Sequence, residues 1–188
     1  MAQLKAVLEE QTSVSEEVYQ KLVSIATTST LNPDEFWLES GMISTHIAFI
    51  ESGYMRRFYL LENGKDITDT FFFEGNFSGD LPSILSGEPT YASEVAVEPT
   101  KLVIWNYEEL NRLALENHGV EHLLRVVTQF GFASFYQRMK SFIIEKPAER
   151  YKRLITEQPN IMQRVKQYHI ATYLGITPQH LSRIRAQW

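Results

Sequence analysis

The chain has 188 residues, 44% of them apolar, and a formal net charge of −5 at pH 7. This length buries a sizeable core, in one domain or in a larger domain carrying a small one. There is no cysteine, which excludes disulfides, thiolate zinc sites, cysteine-held iron–sulfur clusters and thiol redox switches. No apolar run reaches the length of a signal peptide or a membrane span, so the expectation is a cytoplasmic protein with no membrane partner.

Residues 4–29 read as helix, because Leu4, Val7, Leu8, Val18, Leu22, Val23 and Ile25 recur at three- and four-residue spacing. After Asn32-Pro33 the pattern changes. Short runs rich in β-branched and aromatic residues (FWLES, ISTHIAFIE, YMRRFYLL, DITDTFFF, YASEVAV, KLVIW) follow, separated by Ser-Gly, Asn-Gly and Gly-Glu-Pro turns. Strands at this spacing predict an antiparallel sandwich or roll. The clearest hairpin surrounds Asn63-Gly64, which is expected to supply positive φ angles at both turn positions.

Tyr107 begins a helical stretch. A longer helix is predicted from about Val120 to Ile144, with Leu123, Leu124, Val127, Phe130, Phe135 and Met139 along its apolar side. About 25 helical residues extend about 37 Å, more than a small roll can cover. The remainder is expected to pack on the same helix of a second subunit, although heptad spacing is imperfect around Gly131 and Phe132. Lys146-Pro147 stops this helix, and a short one over 148–158 ends before Pro159.

The charge is unevenly distributed along the chain. Residues 1–124 carry 7 basic and 20 acidic groups, whereas residues 125–188 carry 11 basic groups and only Glu145, Glu149 and Glu157. A local basic segment of this size suits a polyanion partner despite the acidic total.

The last stretch, HIATYLGITPQHLSRIR, reads as two short helices joined at Gly175. Ile170 and Leu174 share a face of the first, which spans 167–174. Thr177 is an N-cap followed by Pro178 at the first helical position. Leu181 and Ile184 turn inward on the second, a helix of about 11 residues. Ala171 leaves room for two crossing helices, and Gly175 takes the positive φ of the tight turn. Together these features are a helix-turn-helix signature. Gln179, His180, Ser182, Arg183 and Arg185 then face a DNA major groove. Arg183 is the best candidate to grip guanine and Gln179 to meet adenine or backbone. Lys166, Gln167, Tyr173 and Thr177 suit phosphate contacts.

In this order of roll, long helix and terminal helix-turn-helix, the chain resembles the Crp/Fnr family of bacterial transcription regulators over essentially its full length. RVKQYHIATYLGITPQHLSRIR, AERYKRLITEQPN and FFFEGNFSGDLPSILSGEPT look like the branch common in Bacteroidetes. The resemblance implies an α+β fold: an antiparallel β-roll of the jelly-roll (double-stranded β-helix) kind with flanking helices, a long dimerisation helix and a C-terminal helix-turn-helix domain. The expected domains are a cyclic-nucleotide-binding-like sensor over 1–117, the dimerisation helix over 118–146 and the DNA-binding domain over 147–188. Implied partners are double-stranded DNA, a second copy of the chain, a small-molecule effector and RNA polymerase. Family members usually continue into a β-hairpin wing, and the expectation here is an end at Trp188 without one.

The effector site departs from the family. Gly79-Asp80-Leu81 matches the start of its phosphate cassette with Asp for Glu, and Ser83 follows. Thr90, followed by Tyr91, stands where cyclic-nucleotide binders have an arginine. Threonine cannot supply the bidentate charged grip of arginine on a phosphate, so tight cAMP or cGMP binding is not expected. Arg57 is the candidate replacement charge from another strand. At the helix-turn-helix, Gln179 replaces the family's usual glutamate, which points to a different half-site.

No catalytic residue, metal site or cofactor is expected. His118 and His122 stand four apart without an accompanying carboxylate motif, and His46 is the only histidine of the strand region, too little for a cupin-type enzyme. The alternative to a DNA reader is a sensor or protein-interaction module whose shortened helix-turn-helix no longer reads DNA.

Overall fold

A computed structural model describes residues 1–12 and 14–186. Two helices, α1 (Ala2–Thr12) and α2 (Glu16–Ser24), stand where one was expected over 4–29. The break falls at Ser15, whose hydroxyl caps α2 by accepting the Val18 N–H at 3.3 Å. Residue 13 lies outside the described residues. The end of the expected helix is also corrected: Thr27–Leu31 is a strand, β1. Its β-branched residues pair with β8 along their whole length, Thr27 opposite Ile104 and Leu31 opposite Thr100, a partner that local periodicity does not reveal.

The other strands are β2 (Phe36–Leu38), β3 (His46–Ser52), β4 (Met55–Leu60), β5 (Asp66–Phe72), β6 (Phe77–Ser78), β7 (Ser93–Ala96) and β8 (Thr100–Asn106). They form two four-stranded sheets ordered β1-β8-β3-β6 and β2-β7-β4-β5. The helices after α2 are α3 (Leu81–Ser86), α4 (Tyr107–Glu116), α5 (His118–Ile144), α6 (Pro147–Glu157), α7 (Ile161–Arg164), α8 (Gln167–Tyr173) and α9 (Pro178–Arg185). The expected roll with flanking helices is therefore present, and β6, α3 and α7 are additions to it. Among the described residues no helix is long and apolar enough to cross a membrane.

The chain divides into two compact units. The first comprises Met1–Arg57 and Phe71–Gln129. One of its cores joins Leu4 and Leu8 of α1, Val18 and Leu22 of α2, Phe49, Val103 and Trp105 of the sheet, and Val120 and Leu123 of α5. Trp105 shows how such a core tolerates a polar atom: its ring is buried and its Nε1–H donates to Leu22 O at 2.9 Å. A second core lies between the sheets and includes Leu31, Ala48, Ile50, Met55, Phe72 and Leu102.

The second unit comprises Phe58–Thr70, the tip of the β4–β5 hairpin, with Phe130 and the described residues after it. The hairpin turn differs from expectation. Gly64 alone takes a positive φ, +77°, and Asn63 instead accepts the Lys65 N–H with its side chain at 3.1 Å. The Gly64 N–H closes the turn onto Leu61 O at 2.9 Å, and Leu61 N–H reaches Lys65 O at 2.8 Å. These bonds make a longer loop with glycine at its left-handed position rather than a two-residue turn. α6 starts with Pro147 at its first position and the Glu149 carboxylate accepting the Lys146 N–H at 2.7 Å. Tyr151, Leu154, Ile161, Val165, Ile170, Leu174, Leu181 and Ile184 are buried and belong to this unit.

Candidate nucleic-acid interface

The geometry of the last two helices follows from three local choices. The Leu174 N–H completes α8 by donating to Ile170 O at 3.0 Å, and Gly175 then turns the chain with φ +69°. Ile176 N–H returns to Ala171 O at 3.0 Å. Thr177 caps α9, its hydroxyl accepting the His180 N–H at 3.2 Å, and Pro178 opens the helix. Ala171 is fully buried, so a larger side chain there would meet packed neighbours. α9 (Pro178–Arg185) is 8 residues long, against the expected length of about 11. Residues 187 and 188, and with them the expected wingless end, lie outside the described residues.

Leu181 and Ile184 face the unit's core, which leaves Gln179, Ser182, Arg183 and Arg185 exposed on α9 and His180 half-buried. Thr177, Lys166 and Gln167 are exposed as well, so polar side chains from the start of α8 and from α9 all reach solvent. Tyr173 differs from the rest. It is half-buried, the Arg138 guanidinium lies 3.8 Å from its ring centre, and its carbonyl accepts from Arg138 Nη2 at 3.0 Å.

Two arginines of the basic segment, Arg138 and Arg150, hold this motif in place. Arg150 donates from Nε and Nη2 to Leu174 O at 3.2 and 2.9 Å, and from Nη1 to Glu145 O at 2.6 Å. Its guanidinium also sits 4.7 Å from the Phe142 ring centre. Burial lowers its pKa from the ordinary arginine value; the Glu145 charge opposes this, and the Arg138 and Arg153 charges add to it. Arg138 binds Asp69 as well, Nε to Oδ1 at 3.6 Å. The one available signal for Arg150 was its spacing, four residues before the buried Leu154 on α6.

In the first unit the candidate effector residues do not all converge. Asp80 caps α3 by accepting the Ser83 N–H at 3.2 Å, and its other carboxylate oxygen accepts a short hydrogen bond from the Thr90 hydroxyl. Ser83 is buried; its hydroxyl donates to Glu88 O at 2.6 Å and accepts the Ser44 N–H at 3.0 Å. Asp80, Ser83 and Thr90 thus form one knot. Gly79 precedes it, and a β-carbon there would lie 3.3 Å from His46 O. Leu81 opens α3 half-buried, while Tyr91 points away with 86% of its surface exposed. Arg57 belongs to a different cluster: its Nη1 is 4.0 Å from Oε1 of Glu94, a fully buried carboxylate that accepts from the Ser78 hydroxyl. The Glu94 cluster carried no sequence signal, because a single glutamate in SEVAV reads as an outward strand position.

The model for the cyclic nucleotide-binding domain matches residues 28–117. Those residues, which carry the roll, are thus similar to a cyclic nucleotide-binding domain. Solved structures with the same fold include FixK2 from Bradyrhizobium japonicum, with a TM-score of 0.74 and 19% identity over 87% of this chain and 84% of that one. The catabolite activator protein of Thermus thermophilus gives 0.58 and 18% over 92% and 83%. A protein assigned to the Crp/Fnr family of transcriptional regulators, from Eubacterium rectale, gives 0.69 and 15% over 93% and 83%. At these identities the likeness is one of fold, and the chain shares its fold with these proteins. Among curated proteins no sequence match was found. Within the roll, the Asp80–Thr90 bond lies at the cassette that the sequence had marked as altered.

The candidate histidines have ordinary partners. His122 Nδ1 is 2.8 Å from Arg125 Nη2, His118 Nδ1 is 3.5 Å from Glu121, and His46 Nδ1 is 2.8 Å from the Thr45 hydroxyl.

α5 changes character along its length. Val120 and Leu123 are buried in the first unit, with Leu124 and Val127 packed against them. In the second unit Phe132, Phe135, Ile143 and Ile144 are 62–74% exposed, and Phe130, Tyr136, Met139 and Phe142 are exposed too. The predicted apolar side is therefore split, its N-terminal half covered and its C-terminal half bare. An aromatic stripe of this size is unusual on a monomer surface.

Proposed function

We propose that the chain is a dimeric, sequence-specific DNA-binding transcription regulator in which the roll answers an effector other than cAMP or cGMP. The observation that carries this reading is the outward face of α9: a capped helix with Leu181 and Ile184 inward and Gln179, Ser182, Arg183 and Arg185 exposed. Such a helix is the right size for a major groove and presents the donors that read base edges. Arg183 takes the guanine-reading role, Gln179 and Ser182 accompany it, and Lys166, Gln167, Thr177 and Arg185 contact phosphates.

Dimerisation is supported by the bare aromatic half of α5, which a second copy of the same helix would cover. Two recognition helices about 34 Å apart would then read a two-fold symmetric site. In this reading the protein works beside the chromosome in the cytoplasm, with RNA polymerase as a further partner. Selection of bound duplexes from a random pool tests it, repeated with Arg183→Ala. A palindrome whose recovery depends on Arg183 is the expected result. Recovery of no enriched sequence would favour the alternative, a sensor or protein-interaction module.

A further inference from the structure

The tip of the β4–β5 hairpin and the first helix of the helix-turn-helix motif belong to the same compact unit, and they meet along the length of α8. At its start, the Tyr168 hydroxyl donates to Asp66 O at 3.2 Å. At its end, Thr172 Oγ1 accepts the Thr68 N–H at 3.2 Å and lies 3.1 Å from Thr68 Oγ1. Arg138, stacked on Tyr173, also pairs with Asp69. The hairpin residues are acidic: residues 58–70 carry Glu62, Asp66 and Asp69 against Lys65. The first helix of a helix-turn-helix crosses the DNA backbone. A phosphate approaching α8 would therefore feel carboxylates held on a hairpin bonded to that same helix, a repulsion that acts over a screening length of about 8 Å at physiological salt.

We propose that the β4–β5 hairpin is an autoinhibitory latch on α8. Docked, it fixes the first helix of the motif and sets negative charge beside the surface that phosphates must reach. DNA binding needs the hairpin to let go. The proposal rests on the DNA-binding reading of α8 and α9. Two of the ties are open to solvent, the Tyr168–Asp66 bond exposed and the Arg138–Asp69 pair partly so, as suits a contact that opens and recloses. Because the hairpin is continuous with β4 and β5 of the roll, a change in those strands has a covalent route to the latch. Opening also frees Arg138 from Asp69 while its stacking on Tyr173 keeps it beside α8.

The absence of cysteine from the chain permits a clean test. In the full-length double variant Thr68→Cys/Thr172→Cys, the 3.1 Å separation of the native hydroxyls puts the new thiols within reach of a disulfide. Binding to the duplex enriched from a random pool is measured by fluorescence anisotropy, oxidised and then reduced. The oxidised protein is expected to bind roughly tenfold or more weakly, a normal size for coupled equilibria, with recovery on reduction. The hairpin variant Asp69→Asn, which touches no proposed DNA contact and keeps the side-chain size, is expected to bind more tightly than the parent. Equal or tighter binding by the oxidised pair, or no gain from Asp69→Asn, overturns the latch while leaving the DNA reading intact. Failure of the parent and every variant to bind any duplex in a sequence-dependent way overturns the DNA reading, and the latch with it.

Discussion

The Cε1 carbon of Phe142 lies 2.8 Å from the place a β-carbon on Gly175 would occupy, and Gly175 holds a φ of +69°. The turn of the helix-turn-helix motif is thus set against the end of α5, and glycine is required there for two separate reasons. Gly175→Ala carries the left-handed backbone penalty of about 1–2 kcal/mol and must also displace the Phe142 ring. The expected result is a lower thermal midpoint for the C-terminal helices, read by circular dichroism, with a matching loss of DNA binding. Shortening Phe142 to Leu in the alanine background should recover part of the stability, because it removes the second cause and not the first.

Arg150 is the other support of that turn. Replacing it with Met removes the donors to Leu174 O and Glu145 O, and a buried carbonyl and a half-buried one left without this partner make the change expensive, about 2–4 kcal/mol. Arg150→Lys keeps the charge but lacks the planar fork that reaches both carbonyls. It should recover less than half of the loss. Chemical denaturation of the three proteins, followed by helical signal, checks the order.

These two supports mark the boundary of what could be read from residues alone. Thr177-Pro178 and Gly175 were legible because a cap, a proline at the first helical position and a left-handed glycine act within a few residues of one another. Arg138 and Arg150 were not. Both sit in basic, amphipathic stretches whose charge suits phosphate binding, and only the tertiary fit turns them inward, toward Asp69 and two backbone carbonyls. The outward basic set is correspondingly smaller than the charge count of the last third implied. β1 failed for a similar reason: Thr27–Leu31 follows an amphipathic helix without any breaker, and its strand form depends on β8. The roll itself was legible because alternating β-branched and aromatic runs between turn residues have few other solutions.

The division between base reading and backbone contact gives a paired prediction. Arg183→Ala should weaken binding to the selected duplex by about 1–3 kcal/mol and relax selectivity at one position of each half-site. Lys166→Ala should weaken selected and scrambled duplexes alike and lower the salt slope by about one per subunit. Anisotropy titrations over a range of salt concentrations separate the two. Equal effects of both substitutions on the scrambled duplex would remove Arg183 from the groove.

The bare half of α5 makes the dimer sensitive to a single charge. Phe135 is 62% exposed, so Phe135→Glu costs the isolated chain little, whereas in a helix pair it would bury an uncompensated carboxylate. Sedimentation should show a dimer for the parent and a monomer for the variant, with unchanged helical content. Since a monomer offers one recognition helix in place of two, binding to a palindrome should fall far more than binding to a half-site.

Thr90 decides whether the roll, for all its similarity to a cyclic nucleotide-binding domain, can hold such a nucleotide. Its side chain is 3% exposed and its hydroxyl is given to the Asp80 carboxylate, which in turn caps α3. A cyclic phosphate arriving there would find a carboxylate where it needs a guanidinium, and like charges at close range repel. Calorimetry with cAMP and with cGMP should therefore show no micromolar binding, and heat at that affinity for either would reverse the reading. Thr90→Val keeps the shape but leaves a half-buried carboxylate oxygen short of a donor, at about 1–3 kcal/mol. The loss should appear in the thermal stability of the domain and leave the intrinsic DNA contacts of α9 unchanged.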